Sequence, residues 1–388
     1  MFNIRQRKVV NIITMVSLSG VLFGTMAMVV VLSVFNGFDN IIQELYKKVD
    51  ADFILQSKEE NLFHVDNQFI NTINSIDGIQ ACSEILEYKM LAEYDDHQLV
   101  IKAKGVDKNY LSVSNLHKHL ILGNYLDGTQ NFTIVGNGIF NKMSLKLLDF
   151  EKPLRLSFFT GSKTLDLNSA VQSRSFYVSG VFNTQVEFDN THIVLSIHDL
   201  RDFLSFSRLC SSIEISIKDS VNYKHVEEIL RTKFANSFII KNRDEQRPFV
   251  YKMVRTEKLA VYLIFSFILI ISMLSLIASL VVLLMEKQSD IAVLHVLGLG
   301  FRKIQNIFLL IGFSITFLGG LLGGLSGLFF CLLQDKFQLI KLGQKSFFIE
   351  AYPIKVDYVD LAIIQLIVCT LGFITSYIVS RNKKLYNY

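Results

Sequence analysis

The sequence predicts an integral membrane protein with four transmembrane α-helices in a one-plus-three order and a large α+β extracytoplasmic domain inserted between helices 1 and 2. Three observations carry this reading. Hydrophobic residues make up 51% of the 388 and charged ones only 19%, a balance too apolar for a soluble protein of this size. Four windows, 9–38, 259–285, 304–334 and 361–380, contain no Asp, Glu, Lys or Arg, and each reaches the roughly 20 residues that span about 30 Å of hydrocarbon. Between the first two windows the composition turns polar and breaks into short alternating runs.

Residues 1–38 are expected to form a short cytoplasmic tip and the first span. A cleaved signal peptide is the other reading, but the apolar stretch far exceeds an h-region of about 7–15 residues and lacks a small-residue cleavage site, so a retained anchor is expected. Residues 39–257 form the extracytoplasmic domain. Its strand candidates are 52–57, 98–106, 131–136, 153–159, 175–182, 191–197 and 212–218, rich in Val, Ile, Phe and Thr with period-two alternation, the pattern of a half-buried sheet. Helix candidates are 66–76 and 222–235, where apolar residues recur three and four apart. The segment is large enough for its own core.

Residues 258–285 are the second span, 286–303 a cytoplasmic loop, 304–334 the third span, 335–359 an external loop, 360–380 the fourth span and 381–388 a cytoplasmic tail. Arg5, Arg7 and Lys8, then Lys287, Arg302 and Lys303, then Arg381, Lys383 and Lys384 fall on one side if four spans are right. That predicts both termini inside. The external loop opposes the rule with Lys336, Lys341, Lys345 and Lys355. The formal net charge of +4 is largely these clusters and does not suggest nucleic acid.

Energy-supplying or catalytic motifs are absent from the sequence. "TGSKT" at 160–164 lacks phosphate-loop spacing and reads as a hairpin turn. No H-E-x-x-H, paired CxxC or G-x-S-x-G occurs. His117 and His119 have no neighbours in sequence to complete a metal site and read as solvated loop histidines. The spans show no buried acids or bases of the kind a proton-driven carrier needs. Cys331 and Cys369 lie in spans as small apolar residues, while Cys82 and Cys210 lie outside, where either free thiols or a bridge is compatible with the sequence. No catalytic, cofactor or metal residues are therefore expected.

The loop at 284–308 is more informative. A charged turn, Glu286, Lys287 and Asp290, leads into an apolar face of Ile291, Val293, Leu294 and Leu297 that stops at Gly298 and Gly300. Such a helix either lies on lipid or plugs into a partner's groove, and periodicity alone does not choose. The third span carries Gly319, Gly323 and Gly327 on one face and Gly320 and Gly324 on the next, and the first span carries Gly20 and Gly24. Glycines four apart let helix backbones approach, within one subunit or between two.

Taken together, these pieces resemble the permease subunits of lipoprotein-releasing ABC transporters, the LolC/LolE type within the MacB/FtsX-like permease superfamily. The resemblance covers the whole chain. It rests on "GVLFGTMAMVVVLSVFNGF" at 20–38, on "EKQSDIAVLHVLG" at 286–298, which is similar to the family's coupling helix, on the glycine-rich third span and on "YPIKVDYVDL" at 352–361. Departures are His295, where the family usually has a basic residue, a short start before the first span, and "SRNKK" in place of Pro-Ala at the end.

The resemblance implies a permease subunit without its own ATPase site that extracts triacylated lipoproteins from the outer leaflet of the inner membrane and passes them to a periplasmic carrier. Its implied partners are a dimer of cytoplasmic ABC ATPase subunits, which would hold ATP and Mg, and a second permease subunit, identical or related. The implied ATPase contact is Glu286, Lys287, Asp290, Ile291, Ala292, Leu294, His295 and Gly298. Burying acyl chains is worth about 0.8 kcal/mol per CH₂, so drawing three into water would cost tens of kcal/mol and requires a greasy route. Met26, Met28, Phe35, Phe38, Phe265 and Met273 are candidates for that route, since Met and Phe adapt to varied chains. Asn36 and Gly37 would form a bendable polar exit above it. Two rivals are MacB-like efflux, whose permeases commonly carry their ATPase in the same chain, and FtsX-like non-transporting mechanotransmission, whose external domain is typically smaller.

Overall fold

The computed structural model describes residues 3–159, 171–218, 221–341 and 351–382. The chain opens with α1 (Asn3–Tyr46). The inserted segment continues through β1 (Phe53–Ser57), β2 (Phe63–His64), α2 (Asn67–Asn74), β3 (Ile79–Tyr94), β4 (His97–Val106), α3 (Tyr110–Val113) and a 3₁₀ turn, Leu116–His119. Next come β5 (Leu120–Gly123), β6 (Phe132–Gly136), α4 (Asn137–Lys142), β7 (Leu154–Phe159), β8 (Val171–Phe182), α5 (Phe188–Thr191) and β9 (His192–Ser196). It closes with α6 (Ile197–Leu204), β10 (Leu209–Cys210), β11 (Ser212–Ile217), α7 (Tyr223–Phe234), β12 (Phe238–Asn242) and α8 (Arg243–Gln246). Four helices follow: α9 (Pro248–Glu286), α10 (Gln288–Val296), α11 (Phe301–Phe337) and α12 (Tyr358–Arg381). The chain divides into two compact units, Met1–Ile42 with Lys252–Tyr388, and Gln43–Tyr251.

In the Gln43–Tyr251 unit, all seven expected strands and both expected helices are present. The turn expected at 160–164 lies outside the described residues. The 16-residue β3 was not legible: "IQACSEILEYKMLAEY" carries Glu, Lys and Ala residues that strands disfavour, and its buried positions do not alternate cleanly. Tertiary pairing on both sides makes it a strand, with β11 along one part and β4 along the rest. The β3–β4 hairpin turns through Asp95 at φ +50°, a left-handed position that Asp tolerates. The pairings β3–β4–β9–β6–β8–β7–β3 return on themselves, so six strands form a closed ring. Two of these pairs, β4 with β9 and β6 with β8, are parallel. Leu86, Met90, Ile101, Phe176, Val181 and Leu195 belong to its buried core. β1, β11 and β12 extend the sheet and build a second core with α2 and α7, around Phe53, Ile73, Ile215 and Leu230. Cys82 and Cys210 sit there as buried free thiols, each pushed up to about 12 by burial.

A buried ion pair links β4 to β11. Lys104 on β4 reaches Glu214 on β11 at 2.7 Å, both almost fully buried, and its ammonium stands 4.8 Å above the Tyr110 ring. Burial alone would push the lysine's pKa down; the Glu214 carboxylate and Tyr110 outweigh it, so Lys104 remains protonated.

The second unit is a helix bundle. The glycines settle which reading of their spacing applies. A Cβ at Gly323 would stand 2.5 Å from the Leu22 carbonyl oxygen, and at Gly319 and Gly327 it would meet Val21 and Val29 at 3.1 and 2.9 Å. One glycine face of α11 is therefore spent on α1 within the subunit. Gly320 faces Val368 and Gln365 of α12, and Gly24 faces Leu269 of α9, with Gly20 beside Ser272. Gly324 meets nothing within 4 Å. Small residues interlock α11 and α12 reciprocally: Gly312 lies under Ser376, and Gly372 under Thr316.

Gly323→Leu is expected to destabilise the bundle by about 1–3 kcal/mol, because a backbone carbonyl cannot rotate aside as a side chain can. Gly324→Ala should be neutral. Heat-induced loss of monodisperse protein in detergent compares the two, and equal stability would remove α1 from that face of α11.

Candidate functional site

The apolar window of α1 ends at Phe38, but the helix does not. Asn36 and Gly37 lie inside α1, which runs on to Tyr46, and Gly37 is used for close approach. A Cβ there would stand 2.3 Å from the Pro353 carbonyl oxygen, so the 352–357 segment crosses α1 directly over this glycine. Lys355 N–H donates to the Ser33 carbonyl at 3.0 Å, its ammonium reaches Asn40 Oδ1 at 2.5 Å, and Tyr352 meets Phe38 edge-on at 6.2 Å.

Beside this crossing, four polar side chains from three helices converge. Asp360, in the first turn of α12 and 6% exposed, pairs with Lys258 of α9 at 2.8 Å. It also accepts hydrogen bonds from Asn36 Nδ2 at 2.7 Å and from the Tyr262 hydroxyl at 2.8 Å. Lys258 in turn donates to Asn36 Oδ1 at 3.1 Å. The expectation that the spans hold no buried acid is corrected here. Asp360 sits at the edge of its apolar window, and Lys258 immediately precedes the window of α9. The signal available was three polar residues, 36, 258 and 360, at the same-side ends of three spans. Ionisable groups at such a depth are costly unless paired and facing the bundle interior, as these are.

The remaining route candidates divide. Met28 and Met273 are 0% and 3% exposed and belong to the bundle's own core, so they pack helices and line no open surface. Met26, Phe35, Phe38 and Phe265 are half-buried.

After α9, the chain forms α10. Lys287 and Asp290 pair with each other at 2.7 Å. Ile291, expected on the exposed face, is 4% exposed and packs into the bundle core; Ala292 is half-buried and Glu286 is the last residue of α9. Leu294 is only just exposed, and His295 lies tilted against Phe301 with centroids 4.2 Å apart. The helix ends in a glycine cap: Gly298 takes φ +91°, its N–H donates to the His295 carbonyl, and Leu299 N–H donates to that of Leu294. What α10 presents outward is Val293, Val296 (87% exposed) and Leu297 (78%). Val296 was missed because a single-stripe reading puts it off the Ile291 face. The stripe fails because Ile291 points inward while the last turn before the cap stands clear.

A bundle of four membrane helices, one before and three after a large periplasmic sheet domain, defines a multi-pass membrane permease class. A MacB-like periplasmic core domain model matches residues 14–233, and an FtsX-like permease C-terminal model matches residues 262–383. A LolC lipoprotein-releasing system transmembrane protein of Buchnera aphidicola from Acyrthosiphon pisum is 23% identical over 91% of this chain and 88% of its own. The Neisseria meningitidis serogroup B protein of that name is also 23% identical, over 96% and 91%. A Haemophilus influenzae LolE is 20% identical over 98% and 94%. The chain belongs to the permeases that join a MacB-like periplasmic core domain to an FtsX-like C-terminal domain, and the relatives named above are LolC and LolE proteins.

Proposed function

We propose that this chain is a permease subunit of an ATP-driven lipoprotein-releasing transporter. Its work is to lift lipoproteins from the outer leaflet of the inner membrane toward a periplasmic carrier, with ATP burned by a separate chain. Similarity to lipoprotein-releasing proteins over nearly their whole length supports the cargo class. The observation that carries the coupling is the outward apolar tip of α10: Val293, Val296 and Leu297 stand in solvent at the end of a rigidly capped helix whose opposite side is anchored by Ile291. Such a tip fits a hydrophobic groove on a partner. Because Ile291 keys α10 to the bundle, a push on the tip is passed to the membrane helices rather than absorbed by the loop. In this reading both termini and α10 are cytoplasmic, and two permease subunits act with two ATPase subunits.

The double variant V296D/L297D should lose co-purification with its ABC ATPase partner, while remaining folded because neither side chain is buried. Undiminished association would overturn the coupling role. A cysteine replacing Gln288 should resist an impermeant thiol reagent in intact spheroplasts; labelling from outside would invert the topology. Depletion of the chain should leave triacylated proteins in the inner membrane, and normal sorting would refute the cargo.

A further inference from the structure

Where the chain leaves α1, the Gln43–Tyr251 unit holds a cavity of about 300 Å³ whose wall is polar almost throughout. Three cations reach it: Lys47 directly after α1, Lys118 on the 3₁₀ turn, and Arg243 at the start of α8. Its two acids are already engaged. Asp52 pairs with Arg243 at 2.8 Å and accepts the Ile217 N–H at 2.9 Å, and Asp50 pairs with Arg247 at 3.0 Å. Lys47 and Lys118 are exposed and make no ion pair among the described residues. Arg243 Nε is buried and has no hydrogen-bond partner among the described residues. Uncharged hydrogen-bonding groups of Gln80, Ser114 and Asn115 complete the wall.

The surroundings carry the same sign. Lys48 lies close enough to His119 to help burial push that imidazole's pKa down, as do His117 and Lys118, while Asp189 opposes them. The grouping runs against the usual sorting of Lys and Arg to the inner side. Lys47 is nine residues past the apolar window ending at Phe38.

We propose that this cavity binds a phosphate-type anion through Lys47, Lys118 and the spare Arg243 donor, the phosphate coming from an anionic lipid headgroup or from free phosphate. Guanidinium and ammonium groups converging on one polar pocket suit several acceptor oxygens on one centre. The site is independent of the α10 reading.

The test uses the full chain in detergent and follows its thermal midpoint, which a ligand of the folded state raises. Dioctanoyl phosphatidylglycerol should raise it, and dioctanoyl phosphatidylcholine should not. K47Q/K118Q should need about tenfold more phosphatidylglycerol for the same shift, given roughly tenfold or less per lysine near a lipid surface, whereas K142Q/K146Q should respond like the parent. Inorganic phosphate producing the shift and displacing the lipid assigns free phosphate; a shift by the lipid alone assigns the headgroup. If K47Q/K118Q does not yield folded protein, Asn115→Ala should show the weaker response in its place. The proposal is overturned if neither anion shifts the parent, if the cavity variant responds like the parent, or if the control variant loses as much.

Discussion

Lys104→Met should speed hydrogen exchange of the slowest β4 and β11 amides in the full-length protein by two to three orders of magnitude. The reasoning is electrostatic. Glu214 is almost fully buried, and its Oε1 reaches only the Lys104 ammonium, while Oε2 has no partner among the described residues. Removing the cation strands a carboxylate in a low-dielectric interior, which typically costs about 3–5 kcal/mol. Local opening reports that loss directly. The pair itself is a poor source of net stability, since desolvating two charges nearly offsets their attraction. The double variant K104M/E214L should therefore recover most of the protection. A single variant that exchanges like the parent would mean Glu214 is not committed to Lys104. Lys104 is held above its ordinary pKa, so its contribution is complete below the unfolded lysine's pKa of about 10.4 and is lost only as pH rises beyond it.

Asp360→Ala should release the outer end of α1 from α9 and α12. It leaves the Lys258 ammonium without its carboxylate and removes the acceptor used by Asn36 and Tyr262. Groups this deep lose about 1–3 kcal/mol for each bond left unmade, and more for the charge. Asp360→Asn keeps one carbonyl acceptor and should fall between the parent and the alanine variant. Disulfide trapping between cysteines placed at Val34 and Leu361 would report the separation, falling in the order parent, Asn, Ala. Trapping that does not change in the alanine variant would show that helix packing alone holds these ends.

Much of this architecture was legible because bilayer thickness and sheet periodicity act through local composition. The four apolar windows, seven strands and two soluble helices depend on residues that carry their own signal. What escaped depends on partners far away in sequence. β3 reads poorly alone and becomes a strand through β4 and β11; Asp360 looks like an ordinary helix-start acid until Asn36 and Lys258 are brought to it. Gly37 was noticed as a flexible point, yet its use is steric, since only a residue without a side chain admits Pro353. At α10 the apolar residues were identified but their directions were not. Nine residues fix a helix without fixing which side a bundle will claim, and Ile291 and Val296 ended on opposite sides of that choice.

The neighbours of β1 have a consequence for how the protein is made. β1 pairs with β11 on one side and β12 on the other, and β12 is delivered about 180 residues after β1 has crossed. At roughly 5–20 residues per second of synthesis, this first strand waits on the order of 10–40 s before both edges can be covered. During export the segment is thus an open-edged, sticky chain until its last tenth arrives, and slowing translation or starving the export side of holdase capacity should harm this subunit earlier than a protein whose first strand pairs with its second.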